Sequence, residues 1–382
     1  MANILWHSCA PWSPSGYGQQ TAIWTRELVK MGHEVTISSY WGLSGSATSW
    51  NGITILPGFG ANYCSTSLGQ HARHLQPDLV LGLGDIWVLD AGTLRELPIA
   101  HWLPSDCRPM STADRNVVDA SGAQLVAMSR FGEDRFRAAG FNPLYVPHGI
   151  DMDVWTLPED RDALREAYGF GDFFVIGINA ANNDAIRKAI PEMFIAFAKF
   201  HRSHPNARLA LHSGVHQDGG QDLEALAENL GITDLVIVVD QYRYQSGLIT
   251  PDVMNQWYQA IDVLCETTFG EGFGLPIIES MACGTPVITT RASAMEELNP
   301  GLQVDGEPFW NGVHRGWWIK PSVTAIADAF EESYDGRGDV DRVKLREFAA
   351  QYDKDLVAEK YMGPVVDELL ERVRGKAAWH GR

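Results

Sequence analysis

What the chain lacks narrows the field first. No CxxC pair exists, and the five cysteines (Cys9, Cys64, Cys107, Cys265, Cys283) are odd in number and widely spaced. Neither a zinc site nor a disulfide framework has that spacing, so reduced thiols and a cytoplasmic setting are expected. No apolar run comes near the roughly 20 residues that span a bilayer, and the N-terminus carries no basic stretch or cleavage signal of a secretory leader. An integral membrane protein is not expected. Basic clusters are missing as well: 30 Lys and Arg against 48 Asp and Glu leave a formal charge of −18, spread along the chain. That balance argues against nucleic acid, whose phosphate backbone needs clustered cations. It argues equally against adhesion to an anionic membrane surface.

What is present is a folded, two-part chain. A hydrophobic content of 45% with 20% charged residues excludes a disordered polymer, and 382 residues suit two α/β domains. The run from Asn3 to Ser8 reads as a buried strand, Cys9 to Gly18 as a Pro/Ser/Gly loop, and Gln19 to Met31 as an amphipathic helix stopped by Gly32. His33 to Tyr40 is the next strand, which completes a βαβ unit and implies a parallel sheet. The pattern recurs through strands at 78–84, 99–103, 124–129 and 144–147. Residues 151–170 are charged, contain Pro158 and lack strand character, so they read as a linker. A second series follows, with strands at 173–179, 208–213, 235–240, 263–267 and 287–290 and helices at 190–201, 223–230, 251–260 and 276–283. The domains are therefore expected at 1–150 and 171–350, with a helical tail at 351–382 that would pack back on the first domain.

The most informative stretch is Thr268-Phe-Gly-Glu-Gly-Phe-Gly-Leu-Pro-Ile-Ile-Glu-Ser-Met-Ala-Cys-Gly-Thr-Pro-Val-Ile288. It reads as strand, glycine-rich loop, short helix, glycine stop, strand. Pro276 suits the first helical turn and Gly284 the position just past the last. Gly270, Gly272 and Gly274 would let backbone N–H groups approach a diphosphate at the helix N-terminus. Phe273 and Leu275 supply further N–H groups of that turn. Two carboxylates flank the point, Glu271 and Glu279. Beside a phosphate site they need a reason, and recognition of vicinal hydroxyls supplies one. Read singly, either would be a solvated loop residue or a complement to the helix dipole.

This stretch resembles the signature of glycosyltransferase family 4, retaining enzymes of the GT-B architecture. The resemblance implies an α/β fold of two Rossmann-like, doubly wound domains facing a central cleft. It implies that Glu271 contacts the donor sugar and Glu279 the ribose. Val146-Pro-His-Gly-Ile-Asp151 is similar to the family's interdomain strand end, and Ser15-Gly-Tyr-Gly18 falls where a glycine loop closes on donor phosphate and acceptor, through Gly16 and Gly18. Lys188 matches a family lysine that neutralises the diphosphate. The family arginine lies several residues earlier, near Asn182, so Arg187 is either its substitute or a solvated neighbour. His101 or Asp106, in His101-Trp-Leu-Pro-Ser-Asp106, would stand near the reacting centre; which of them is left open. Tyr242 and Arg243 follow a strand where the base would lie, and Trp12 and Tyr17 are candidates on the acceptor side.

The function so implied is retaining transfer of a hexose from a UDP-, GDP- or other nucleotide diphosphate-sugar to an unidentified acceptor. No cofactor beyond that co-substrate is expected, and no metal, since no DxD-type acidic pair lies in the donor stretch. Two alternatives stand beside it: a sugar-nucleotide epimerase on the same architecture, and a non-catalytic sugar-nucleotide binding protein.

Overall fold

The computed structural model describes residues 1–60 and 63–375; the last seven residues of the expected tail lie outside them. The chain divides into two units. The first comprises Met1–Gly149, Asn311–Gly316 and the segment from Tyr352 onward; the second comprises Ile150–Trp310 and Trp317–Gln351. The stretch read as a linker thus lies within the second unit, where Arg161–Ala167 is a helix capped by Asp160. No helix among the described residues is long and apolar enough to cross a membrane.

The first unit is built on eight strands: β1 (Asn3–Cys9), β2 (Glu34–Trp41), β3 (Thr48–Trp50), β4 (Ile53–Leu56), β5 (Leu79–Leu83), β6 (Ile99–Leu103), β7 (Gln124–Ala127) and β8 (Leu144–Tyr145). Their order is β3-β4-β2-β1-β5-β6-β7-β8, parallel except for β3 against β4. Strands buried on both faces read as near-continuous apolar runs, and β5 and β6 do. The helix expected from Gln19 begins at Gly16, because Ser15 caps it by accepting a hydrogen bond from the Gly18 N–H at 3.1 Å. Gln20 on that helix clamps the backbone of Gly149, donating to its carbonyl at 2.7 Å and accepting from its N–H at 3.2 Å. An added Cβ at Gly149 would meet the Trp24 ring at 2.9 Å, so only glycine permits the approach. At the C-terminal end of the chain, helix Gly363–Arg374 lays Val366 and Leu369 beside Trp6 and Trp102.

The second unit carries β9 (Phe174–Asn179), β10 (Ala207–His212), β11 (Val236–Val238), β12 (Val263–Glu266), β13 (Val287–Thr290) and β14 (Leu302–Val304). All are parallel, in the order β11-β10-β9-β12-β13-β14. A two-stranded ribbon follows, β15 (Gly306–Asn311) and β16 (Gly316–Pro321). Helix Ile190–His201 covers one face through Met193, Phe194, Phe197 and Phe200, all buried.

Several elements escape the sequence reading. The β3–β4 hairpin and the β15–β16 ribbon are short and carry exposed side chains. Helix Ser65–Leu75 buries mainly small residues (Ser65, Ser67, Gly69, Ala72), which leaves little apolar period to read. Gln241–Gln245, which follows strand β11, is a helical turn capped by Asp240.

Candidate functional site

In the second unit the strand order reverses between β9 and β12. Loops leaving the carboxyl ends of two such strands diverge, and in open α/β sheets ligands bind in the crevice so formed. Arg187, Lys188 and Glu271 converge on those two loops, and Glu279 lies in the helix that follows the second.

Arg187 and Lys188 lie in the turn that precedes helix Ile190–His201 rather than on the helix itself, which begins two residues later. The backbone between takes a left-handed conformation at Ala189 (φ +50°). Both cations reach one carboxylate oxygen: Lys188 Nζ stands 2.7 Å, and Arg187 Nη1 3.1 Å, from Glu271 Oε1. Arg187 also donates to the Gly270 carbonyl at 3.2 Å, so its guanidinium is partly committed to the loop. Burial pushes the Glu271 carboxyl up, but Lys188 and then Arg187 overcome it and hold the group down at about 2. Ser293 fixes the same residue from behind, its hydroxyl accepting from the Glu271 N–H at 2.8 Å.

The glycine-rich turn ends at Gly274, the cap of helix Leu275–Ala282, at φ +116°. No side chain caps that helix end, so its first N–H groups are left to other acceptors. Phe273 and Leu275 are buried and anchor the turn. Of the three glycines, Gly274 alone adopts positive φ among them.

Glu279 sits in that helix, 3% exposed. Its Oε2 accepts from the Tyr258 hydroxyl at 3.0 Å, and its Oε1 has no hydrogen-bond partner. Burial pushes the carboxyl up to about 7, against the pull of the Tyr258 hydrogen bond. Tyr258 in turn accepts from Asn179 Nδ2 at 2.6 Å, and Asn179 Oδ1 lies 2.7 Å from His212 Nδ1. Asn179 and His212 end β9 and β10, so this relay runs along the carboxyl edge of the sheet. Sequence reasoning missed Tyr258, Asn179 and His212; polar residues closing apolar strands were the signal for the last two. It also missed Ser293 and Glu266.

Other expected residues stand apart from this cluster. Asn182, near the expected arginine position, is fully buried and spent on structure: its Nδ2 donates to the Gly214 and Gln221 carbonyls at 2.9 and 2.7 Å, and its Oδ1 accepts from the Gln221 N–H. Tyr242 is 74% exposed on its helical turn, and the Arg243 N–H is held by Asp240. Tyr244, one residue on, is the one that packs against His212, with ring centroids 5.2 Å apart.

The remaining candidates belong to the first unit. His101, expected at a strand end, is the third residue of β6 and is 1% exposed. It lies beside Gly82 in register, where an added Cβ would stand 2.3 Å from Nδ1, and its Nε2 meets the Gly84 carbonyl at 2.8 Å. Burial lowers its pKa to about 4, so it is a neutral imidazole wedged between strands. Asp106 lies beyond the strand in the following loop, half-buried. Gly16, Tyr17 and Gly18 form the first helical turn rather than a loop, and the Gly18 N–H is already taken by Ser15. Trp12 is 45% exposed, with its indole N–H donated to the Gly42 carbonyl at 2.7 Å.

Comparison with known proteins adds independent findings. Residues 174–335 match the family model described as Glycosyl transferases group 1. The chain is 28% identical over 209 residues to the D-inositol 3-phosphate glycosyltransferase of Geodermatophilus obscurus, covering 52% of this chain and 43% of that protein. It is 32% identical over 171 residues to that of Corynebacterium jeikeium, covering 42% and 39%. The chain therefore spans about two-fifths of the length of these curated relatives. Among solved structures, the sucrose-phosphate synthase of Thermosynechococcus elongatus superposes with a TM-score of 0.78 at 16% identity, over 97% of this chain and 100% of that one. HepE of Anabaena, solved in complex with UDP and glucose, superposes with a TM-score of 0.70 at 17% identity, over 96% and 100%. At such identities the likeness is one of fold. Residues 174–335 thus carry a match to the family Glycosyl transferases group 1, and the two Rossmann-like units have the GT-B fold.

Proposed function

We propose that the chain is a retaining glycosyltransferase that moves a hexose from a nucleoside diphosphate sugar to an acceptor hydroxyl. The observation that carries this reading is the placement of Lys188 and Arg187 on Glu271, beside an uncapped helix N-terminus at the strand-order reversal. Two cations and the backbone N–H groups of a helix end without a side-chain cap suit a diphosphate. A carboxylate held ionised by those same cations suits the hydroxyls of the sugar attached to it. Glu279, with one oxygen on Tyr258 and the other unpartnered, suits the ribose diol.

In this reading Lys188, Arg187 and the N–H groups of Gly272 to Leu275 stabilise the leaving diphosphate. Glu271 fixes the sugar ring. The bond from the anomeric carbon to the diphosphate breaks, and the acceptor oxygen forms the new bond on the same face. The acceptor's proton passes to a diphosphate oxygen. UDP-glucose is the first donor to test, because a protein of the same fold was solved in complex with it.

Proton NMR of the protein with UDP-, GDP-, ADP- and TDP-sugars tests the reading through the anomeric signal. One donor is expected to release its nucleoside diphosphate and a hexose of retained configuration. An inverted product, a changed hexose still attached to the nucleotide, or no consumption of any donor with a panel of hydroxyl acceptors present would contradict it.

A further inference from the structure

Strand β12 ends in Val263-Leu-Cys-Glu266, three apolar residues and then a carboxylic acid. A carboxyl at the last position of a strand buried on both faces is costly unless it is paired. Glu266 is 2% exposed, and its Oε1 has no hydrogen-bond partner. The groups in electrostatic reach of it come from every neighbouring element: Lys188 and Arg187 from the turn after β9, Glu271 from the loop after β12, and Glu279 from the helix beyond. Tyr258, from helix Pro251–Ala260, and its own neighbour Cys265 also sense its charge. None of the roles assigned above uses Glu266.

Its protonation decides the sign of the site. Two cations face three carboxylates, so with all of them ionised the cluster is net negative and repels a diphosphate. With Glu266 neutral the cluster balances, and with Glu279 neutral as well it is net positive. Burial drives the Glu266 carboxyl up to about 8, against the pull of Lys188 and with the push of Glu271, so near neutral pH it is an acid rather than a carboxylate.

We propose that Glu266 is a proton-controlled positioning residue of the donor site, resting on the reading of that site as a nucleoside diphosphate pocket. As a neutral acid it leaves Lys188 and Arg187 to the diphosphate. As a carboxylate it competes for both cations. A bound dianion disfavours ionisation of Glu266 further, so donor binding above the free-state transition takes up a proton. Glu279 works in the opposite direction: its diol-binding form is the carboxylate, so its titration near pH 7 strengthens binding as pH rises.

The test is isothermal titration of UDP, GDP and ADP into the full chain between pH 7 and 9.5, each in two buffers of different ionisation enthalpy. For the nucleotide that binds, the Kd is expected to weaken about tenfold from pH 8 to 9.5, since each pH unit above the transition cuts the neutral fraction about tenfold. Uptake approaching one proton should accompany binding at pH 9. In Glu266→Gln the ratio of Kd at pH 9.5 to pH 8 should fall to near one. A wild-type Kd that is flat across this range, binding at pH 9 without proton uptake, or an alkaline fall retained in E266Q would overturn the proposal. The two-buffer measurement on the wild type keeps the test intact if E266Q does not fold. Binding of none of the three nucleotides at any pH would instead bring down the donor-site reading, and this proposal with it.

Discussion

The two units share one winding and differ in what they place at the point where it reverses. In the second unit the reversal between β9 and β12 is charged: Arg187, Lys188, Glu266, Glu271 and, one helix away, Glu279. In the first unit the corresponding reversal, between β1 and β5, is largely aromatic, with the acidic Asp85 just beyond β5. His7 and His101, held chiefly by burial at about 3 and about 4, lie in register on either side of Gly82. Tyr40 packs edge-on against His7 at 5.5 Å, and Trp41 at the end of β2 is exposed, as are Trp12, Tyr63 and Trp87 in loops of the same unit. The same backbone topology thus presents paired cations and carboxylates in one unit and a mainly aromatic surface, without a cation pair among its described residues, in the other. Topology chooses where a site forms; the strand-end residues choose what it can bind.

The largest expected break in this comparison is Glu271→Ala. Removing the carboxylate proposed to orient the sugar should lower transfer by about 10²–10³-fold, as loss of a single preorganised polar contact to a reacting group does. The melting temperature should also fall, because Lys188 and Arg187 lose the carboxylate they share, so the rate is compared at a temperature where both proteins are folded. Steady-state rates with thermal unfolding on the same sample check this. A rate near wild type would contradict the assigned role.

Glu279→Gln comes next. It removes a carboxylate whose burial places its titration near pH 7, so the expected loss lies in donor KM, about tenfold at pH 8 and less at pH 6. A pH profile of kcat/KM reads it: the wild type should rise through pH 7 on its acid limb, and the variant should not.

Much of the second unit was legible because its signals are local. Helices Ile190–His201, Leu223–Leu230 and Pro251–Ala260 and strand Val287–Thr290 fall where apolar period, caps and glycine stops put them. The glutamates stood out for the same reason, as a compact motif with unusual charge, whereas Lys188 was singled out only through the family resemblance. Glu266, Tyr258 and His212 were not, because their meaning lies in long-range neighbours: Tyr258 reaches Glu279 across 21 residues and Asn179 across 79. In the first unit the expectation for His101 read a histidine near a strand's end, where the register places it mid-strand over Gly82. A side chain without glycine opposite it would not fit there, and that pairing is invisible in one dimension. Asn182 taught the converse, since its buried hydrogen bonds make it a brace.

Stability should separate the two units more gently. The carboxyl groups of Glu266 and Glu279 are raised by burial, so their contribution is fully present below about pH 4.5 and is lost as pH rises through about 7 to 8. Glu271 has the opposite sign: depressed to about 2, it stabilises above pH 4.5 and is lost as pH falls toward 2. Thermal unfolding of wild type against Glu266→Gln from pH 4.5 to 9 should show the wild type losing ground until about pH 8 and then holding level.

In the first unit the expected effects are smaller and steric. Gly18→Ala would place a Cβ 2.2 Å from the Ser13 carbonyl oxygen, so a loss of about 1–3 kcal/mol is expected by denaturant unfolding. Smallest of all, Trp12→Ala should leave nucleotide affinity unchanged and alter only the KM for the acceptor, read in the same steady-state assay.

The central claim is that the charged reversal of the second unit holds a nucleoside diphosphate. Titration calorimetry of UDP, GDP and ADP at pH 7.5 into the wild type and Lys188→Ala tests it most directly. The account predicts that at least one nucleotide binds the wild type and that K188A weakens it about 10–100-fold, the loss of a charge-assisted contact. Equal affinity in the two proteins, or no binding to the wild type, would contradict it.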